Sequence, residues 1–302
     1  MNTICITGGN GLLGSKLLMA ARGQYRIISI DMAGSPLYTV DNMDYIQADI
    51  TDKEKIISVI RNEKPDCIFH TAALTDVDAC EREEDKAWNI NVRGTDNLIQ
   101  ACKDFPCTLI HLSTDYVFNG KDGPYSENDQ PDPISVYGKT KLEGEKRVKN
   151  NLADYIIART MVLYGYFPGV RKNFVTWLIE ELKKGNTLRI VNDQYGTPTL
   201  ADDCADALFT LYKNNARGIY HTAGKDLINR YEIARKVIDI FNFENVDLSS
   251  ISTKRLNQDA PRPLHSGLRT DKIKKEFGVC FSTIEEGITV VKKQLEENIF
   301  NK

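Results

Sequence analysis

Apolar residues follow two alternating rhythms along this chain. Short runs rich in β-branched residues lead into longer stretches whose apolar positions recur at helical spacing. Runs at 3–7, 26–31, 43–48, 67–73, 108–113 and 154–160 predict strands. Most of their positions are apolar, as expected of strands covered on both faces. Stretches at 12–21, 53–64, 88–102 and 137–149 predict helices, the second of them stopped by Pro65. Strands that alternate with helices of this length predict right-handed βαβ units and an α/β, doubly wound parallel sheet.

After residue 160 the repeat weakens. Helices are predicted at 173–184, with Asn173 as its cap, at 202–213 and at 231–241, with a last amphipathic helix ending near Asn298. Strands are predicted at 188–191 and 218–224, and loops at 192–200 and 254–268. We expect a cofactor-binding domain over 1–160 that also receives part of 192–222, and a smaller interwoven lobe over 161–302.

Composition narrows the classes. With 302 residues, 41% hydrophobic and 27% charged, the chain is an ordinary globular protein. Its 39 basic and 42 acidic residues leave a net charge of −3, so nucleic acid is not an expected partner. Seven cysteines include no C-x-x-C pair and are expected to be reduced, small apolar residues. Four scattered histidines offer no metal-ligand spacing. No apolar run approaches the ~20 residues that span a bilayer, and the N-terminus enters a strand at once. The expected location is the cytoplasm.

The first strand empties into GGNGLLG, residues 8–14. Gly8 allows the tight turn, Gly11 lets backbone approach a pyrophosphate, and Gly14 lets helix pack on strand. Asn10, Leu12 and Leu13 fill the turn, and the helix-start amides offer the anion site. Glycines alone are weak grounds, but the second strand then ends in Asp31, whose carboxylate suits a ribose 2′-hydroxyl. Asp31 also repels a 2′-phosphate, and Met32 stands where an arginine would welcome one. That favours NADH, with NADPH as the alternative. Asp49 and Ile50, and Ala72, Ala73, Leu74 and Thr75, sit at further strand ends, where ligands of such sheets bind. Asn91 is a further candidate for the cofactor, or simply a helix residue.

Candidate chemistry lies between Leu112 and Lys149. Thr114 ends the fifth strand, a Gly/Pro/Asp-rich loop at 119–135 follows, and Tyr137 and Lys141 then share a helix face. A carbonyl receiving hydride needs a proton donor and preorganised hydrogen bonds. Tyr137 would be the acid, Lys141 would lower the phenol's pKa and hold the ribose, and Thr114 would orient the carbonyl. Asp115 either touches a substrate hydroxyl or caps a turn. Arg262 either meets a phosphate or is a solvated loop charge. His70 reads as a satisfied core histidine, and Trp177 as packing.

TGGNGLLG, STDYVFNG, YGKTKLEGE, ARTMVLYG, NDQYGTPT and APRPLHSGL together resemble the dTDP-4-dehydrorhamnose reductase family of the extended short-chain dehydrogenase/reductases. The resemblance implies a Rossmann domain with a nucleotide-sugar lobe, and reduction of the 4-keto group of a dTDP-6-deoxy-4-keto-hexose. It places Thr114, Tyr137 and Lys141 in catalysis and Thr114 and Asp115 on the sugar. Arg262 and the DQYGTPT loop fall near the diphosphate. It also admits a homodimer and Mg²⁺, which no residue here singles out. The family pattern carries a sugar-contacting tryptophan where this chain has Met161 and Val162, which removes stacking area from the sugar pocket. Two alternatives stand beside this reading. One is another nucleotide-sugar reductase or epimerase of the superfamily. The other is a non-catalytic subunit like the regulatory subunit of methionine adenosyltransferase.

Overall fold

The protein is described by a computed structural model covering residues 1–297, so the expected helix end near Asn298 lies outside the described residues. The N-terminal half runs β1 (Thr3–Thr7), α1 (Leu12–Ala21), β2 (Arg26–Asp31), β3 (Met43–Gln47), α2 (Lys53–Glu63) and β4 (Cys67–His70). It continues through α3 (Val77–Arg82), α4 (Glu84–Trp88), α5 (Gly94–Cys102), β5 (Thr108–Thr114), α6 (Val136–Asn151) and β6 (Tyr155–Thr160). The remainder runs β7 (Leu163–Tyr164), α7 (Phe174–Lys183), β8 (Leu188–Val191), β9 (Tyr195–Gly196), β10 (Thr199–Leu200) and α8 (Ala201–Lys213). Then come β11 (Gly218–His221), β12 (Ile228–Asn229), α9 (Arg230–Phe241), β13 (Leu248–Ile251), α10 (Asp271–Phe277) and α11 (Ile284–Glu296).

Seven strands form one parallel sheet in the order β11-β6-β5-β4-β1-β2-β3, the Rossmann arrangement expected from the alternation. Side chains alternate across it. Ile4 and Ile6 of β1 meet Leu17, Leu208 and Phe209 on one face, while Cys5 meets Ile56, Ile60 and Leu98 on the other. Because β11 joins this sheet and α8 packs on its face, residues 201–221 pack with the N-terminal half. A third apolar cluster unites α7, α9 and α11 through Leu178, Ile233, Val237 and Ile288. Lys16 of α1, buried, reaches Asp202 at 2.9 Å and Gln294 at 3.1 Å, tying α8 and α11 to the glycine-turn helix.

Local chemistry sets the boundaries. Asp52 and Ser135 cap α2 and α6, and Asn173 closes a capping box with Thr176, as its position predicts. Several expectations need correction, and the strand predicted over 218–224 ends at His221. The strand predicted to Ala73 stops at His70, because Thr71 turns away with its hydroxyl donating to Thr7 O at 2.7 Å. The helix predicted from Trp88 instead continues α4 through a π-helical turn at Asn89–Arg93. The short α3, the strand β13 and the helix α10 have no counterpart in the apolar pattern. In α3 the run VDACER is half charged, so no helical stripe shows. All seven cysteines are free and only Cys280 is exposed. Among the described residues no helix is long and apolar enough to cross a membrane.

Candidate active site

The sheet reverses its strand order between β1 and β4, and the crevice at such a switch point is where ligands of these sheets lie. The glycine turn occupies that point. Gly8 adopts φ +76°, and a Cβ there would meet Ala72 N at 2.9 Å. A Cβ on Gly14 would stand 2.1 Å from Gly8 O, so α1 could not lie this close to the turn with any other residue. Gly11 is exposed at the start of α1, which has no side-chain cap, so its first amides remain available to an anion. The turn therefore fits a pyrophosphate. Gly14→Ala is expected to cost about 1–3 kcal/mol by overpacking and to weaken NADH binding with it. Denaturant unfolding and a fluorescence titration would check this, and wild-type values in both would refute it.

Asp31 closes β2 beside this turn. Its carboxylate accepts from Asn10 N and Ala33 N, each at 3.1 Å. Asn10 in turn ties residues 35–37 through Ser35 O and Leu37 N. Leu12 is half-buried and Leu13 buried. Asp49 is exposed past the end of β3, and Ile50 is buried against Gly94. Ala72, Ala73 and Leu74 are half-buried and Thr75 exposed past β4. Asn91 accepts from Leu74 N at 2.9 Å and donates to Leu74 O at 3.1 Å and Thr140 at 3.0 Å. What it contributes is the shape of the 72–75 segment and its join to α6, since its amide is committed within the protein. His70 is satisfied in the core by Thr7 and Thr95, as expected.

The structure gathers Thr114, Tyr137 and Lys141. Thr114 is the last residue of β5, and Tyr137 and Lys141 lie in the first two turns of α6; all three are buried. Gly138 makes the approach close, since a Cβ there would strike Tyr116 O at 2.2 Å. Tyr137 sits in an apolar nest of Cys80, Ala87 and Val136, and its ring meets Tyr116 edge-on at 5.5 Å. Two walls of that nest, Cys80 and Ala87, come from α3 and α4.

Burial dominates the protonation of the site. It pushes the Tyr137 phenol above its ordinary value, opposed by a hydrogen bond with Thr114. Asp115, Tyr116 and Cys80 push the phenol in the same direction as burial, so its net shift is upward. Burial also brings Lys141 down to about 8, with the Glu145 carboxylate acting in the opposite direction.

Next to Thr114, Asp115 is buried and accepts from the hydroxyls of Ser266 at 2.6 Å and Thr114 at 3.1 Å. Arg262 pairs with Asp78 at 2.7 Å rather than standing in solvent. Its guanidinium and that of Arg230 both act on the Tyr116 phenol, so two cations lie near the site. Met161 is buried, its sulfur accepting from Thr197 N at 3.1 Å. Val162 holds φ +42°, a strained value for a β-branched residue. Trp177 stacks on Phe174 but is 38% exposed, so it packs only in part. The pattern offered no signal for Arg230 or Ser266. One follows a helix cap and the other lies in a loop, and only the fold carries them to Asp115.

Fold and site together define the class, an NAD(P)H-dependent reductase of the extended short-chain type. The family model described as the RmlD substrate binding domain matches residues 1–297. The chain belongs to the dTDP-4-dehydrorhamnose reductase family. It is 34% identical over 293 residues to the dTDP-4-dehydrorhamnose reductase of Aggregatibacter actinomycetemcomitans, covering 92% of this chain and 94% of that one. The crystal structure of the Bacillus anthracis dTDP-4-dehydrorhamnose reductase in complex with NADP superposes with TM-score 0.89 at 30% identity, covering 97% of this chain and all of that one. Methionine adenosyltransferase 2 subunit beta of Danio rerio is 30% identical over 277 residues, covering 89% of this chain and 83% of that protein.

Proposed function

We propose that this chain reduces the 4-keto group of a dTDP-4-keto-6-deoxy-L-hexose, taking dTDP-4-dehydrorhamnose to dTDP-L-rhamnose. The observation that carries the reading is that buried Thr114, Tyr137 and Lys141 lie at the same end of the parallel sheet as a glycine turn able to hold a dinucleotide. Residues 1–160 hold the cofactor in this reading, and segments after 161, with Asp115, Val162 and Arg262, hold the sugar nucleotide. The bound nicotinamide supplies the hydride. Tyr137, kept neutral by burial, gives its proton to the carbonyl oxygen as negative charge develops there. Thr114 orients that oxygen, and the Lys141 ammonium stabilises the phenolate left behind. Arg262 and Arg230 supply positive charge for the diphosphate.

Asp31 supports NADH over NADPH, because its carboxylate opposes a 2′-phosphate. The assay that tests the proposal follows nicotinamide oxidation with dTDP-4-keto-6-deoxy-L-mannose, using NADH and NADPH in parallel. Turnover only with a UDP- or GDP-sugar would replace the substrate, and a preference for NADPH would overturn the Asp31 argument alone. The identity to a methionine adenosyltransferase subunit favours one second reading, a partner-binding subunit. No turnover together with tight partner binding would support it.

Protonation supplies a further expected result. Lys141 loses its charge as pH rises through about 8 in the free protein. Because kcat/KM reports free-enzyme ionisations, it should decline above that pH. A profile flat through the region would remove the Lys141 charge from the rate.

A further inference from the structure

The loop 119–135 does not hang free at the mouth of the site. It is zipped to residues 263–269 by Gly123 N on His265 O at 3.1 Å, Tyr125 N on Gly267 O at 2.8 Å and Arg269 N on Tyr125 O at 2.7 Å. Ser266 lies inside this zipper and is pinned from a third segment, its own N–H donating to Tyr195 O at 3.0 Å. From there its hydroxyl crosses to the catalytic strand and donates to Asp115 Oδ2 at 2.6 Å. Asp115 is 2% exposed, and its other oxygen takes the Thr114 hydroxyl proton at 3.1 Å. A threonine hydroxyl has one proton to give. While Asp115 accepts it, the Thr114 oxygen is an acceptor, taking Tyr116 N at 3.2 Å, and Asp115 and the Tyr137 phenol compete for the one threonine proton.

We propose that Ser266 is a positioning residue that holds Asp115 and, through it, fixes the direction of the Thr114 hydroxyl proton. The chain Ser266–Asp115–Thr114 would thereby make the geometry at the reacting carbonyl depend on the C-terminal loop being docked. With Asp115 ionised the Thr114 hydroxyl stays directed at Oδ1. With Asp115 protonated the threonine proton is released toward the carbonyl. The consequence for rate rests on the reductase reading, whereas the coupling itself does not.

Burial raises the Asp115 carboxyl to about 6, with the Ser266 and Thr114 hydrogen bonds pulling downward and Arg230 assisting them. The other titratable groups that interact with it are Tyr116 and Tyr137. Removing either donor should therefore raise the midpoint.

The test combines a titration and a cycle. Carbon-13 aspartate spectra of the full chain, with Asp115 assigned through Asp115→Asn, would be followed against pH. Ser266→Ala and Thr114→Val are each expected to raise the midpoint by about one pH unit. In parallel, the pH dependence of kcat should move up by about one pH unit in Ser266→Ala with little change in KM, and should show no such shift in a Thr114→Val background. An unmoved midpoint in both variants overturns the proposal, as does an undiminished Ser266→Ala effect in the double variant. If the wild type turns over no dTDP-4-keto sugar, the reductase reading falls and the titration still decides the coupling.

Discussion

Replacing Tyr137 by phenylalanine is expected to lower kcat by about 10²–10⁴, the worth of a positioned general acid. The substitution removes one oxygen and leaves the ring, so the apolar nest of Cys80, Ala87 and Val136 and the edge contact with Tyr116 should survive. Stability should change little, because burial without an ionised partner makes the phenol no asset to the fold. Cofactor affinity should also hold, since Lys141 and the glycine turn are untouched. Single-turnover rates with saturating NADH and dTDP-4-keto sugar would measure the loss directly. Turnover near that of the wild type would take Tyr137 out of the reaction. Lys141→Met should behave differently, reducing cofactor affinity and rate together.

The second large effect concerns stability. Glu145 lies one turn beyond Lys141 on α6 and is buried with Arg159 of β6. Its carboxylate takes Arg159 Nε at 2.9 Å and Nη2 at 2.7 Å, and also the Ser113 hydroxyl at 2.5 Å. Glu145→Ala leaves a fully buried guanidinium whose remaining favourable contact among the described residues is the Phe118 face, 5.1 Å away. Breaking such a pair costs about 3–5 kcal/mol, read as a lower denaturation midpoint. Replacing both partners by apolar residues of similar volume should restore most of that loss, which separates a stranded charge from a simple cavity. Glu145 also favours the charged form of Lys141, so in the single variant the alkaline limb of kcat/KM should move to lower pH. Unchanged stability would show that water reaches Arg159.

These two expectations differ in what made them visible. Tyr137 and Lys141 share a helix face by spacing alone, and Thr114 ends an apolar run, so the candidate trio is legible one residue at a time. The same holds for Gly8, Gly14 and Asp31, because a tight turn and a strand-end carboxylate are local demands. The parallel sheet is legible too, since buried strands and amphipathic helices of fixed length leave few ways to pack. The Arg159 partner, the nest around Tyr137 and the junction at Ser266 are not legible in this way.

What the order of residues determined here is therefore whatever depends on neighbours within about one turn: the strands, the capped helices, the glycine turn and the Tyr–Lys face. What only the tertiary structure decided is whatever depends on burial and on contacts between distant segments. Burial raised the Tyr137 phenol and drew Lys141 down to about 8, because desolvation scales with surroundings that no local spacing encodes. Loop docking brought Ser266 to Asp115 across 151 positions of chain, and α3, a half-charged run, packs its one buried residue, Cys80, into the tyrosine pocket.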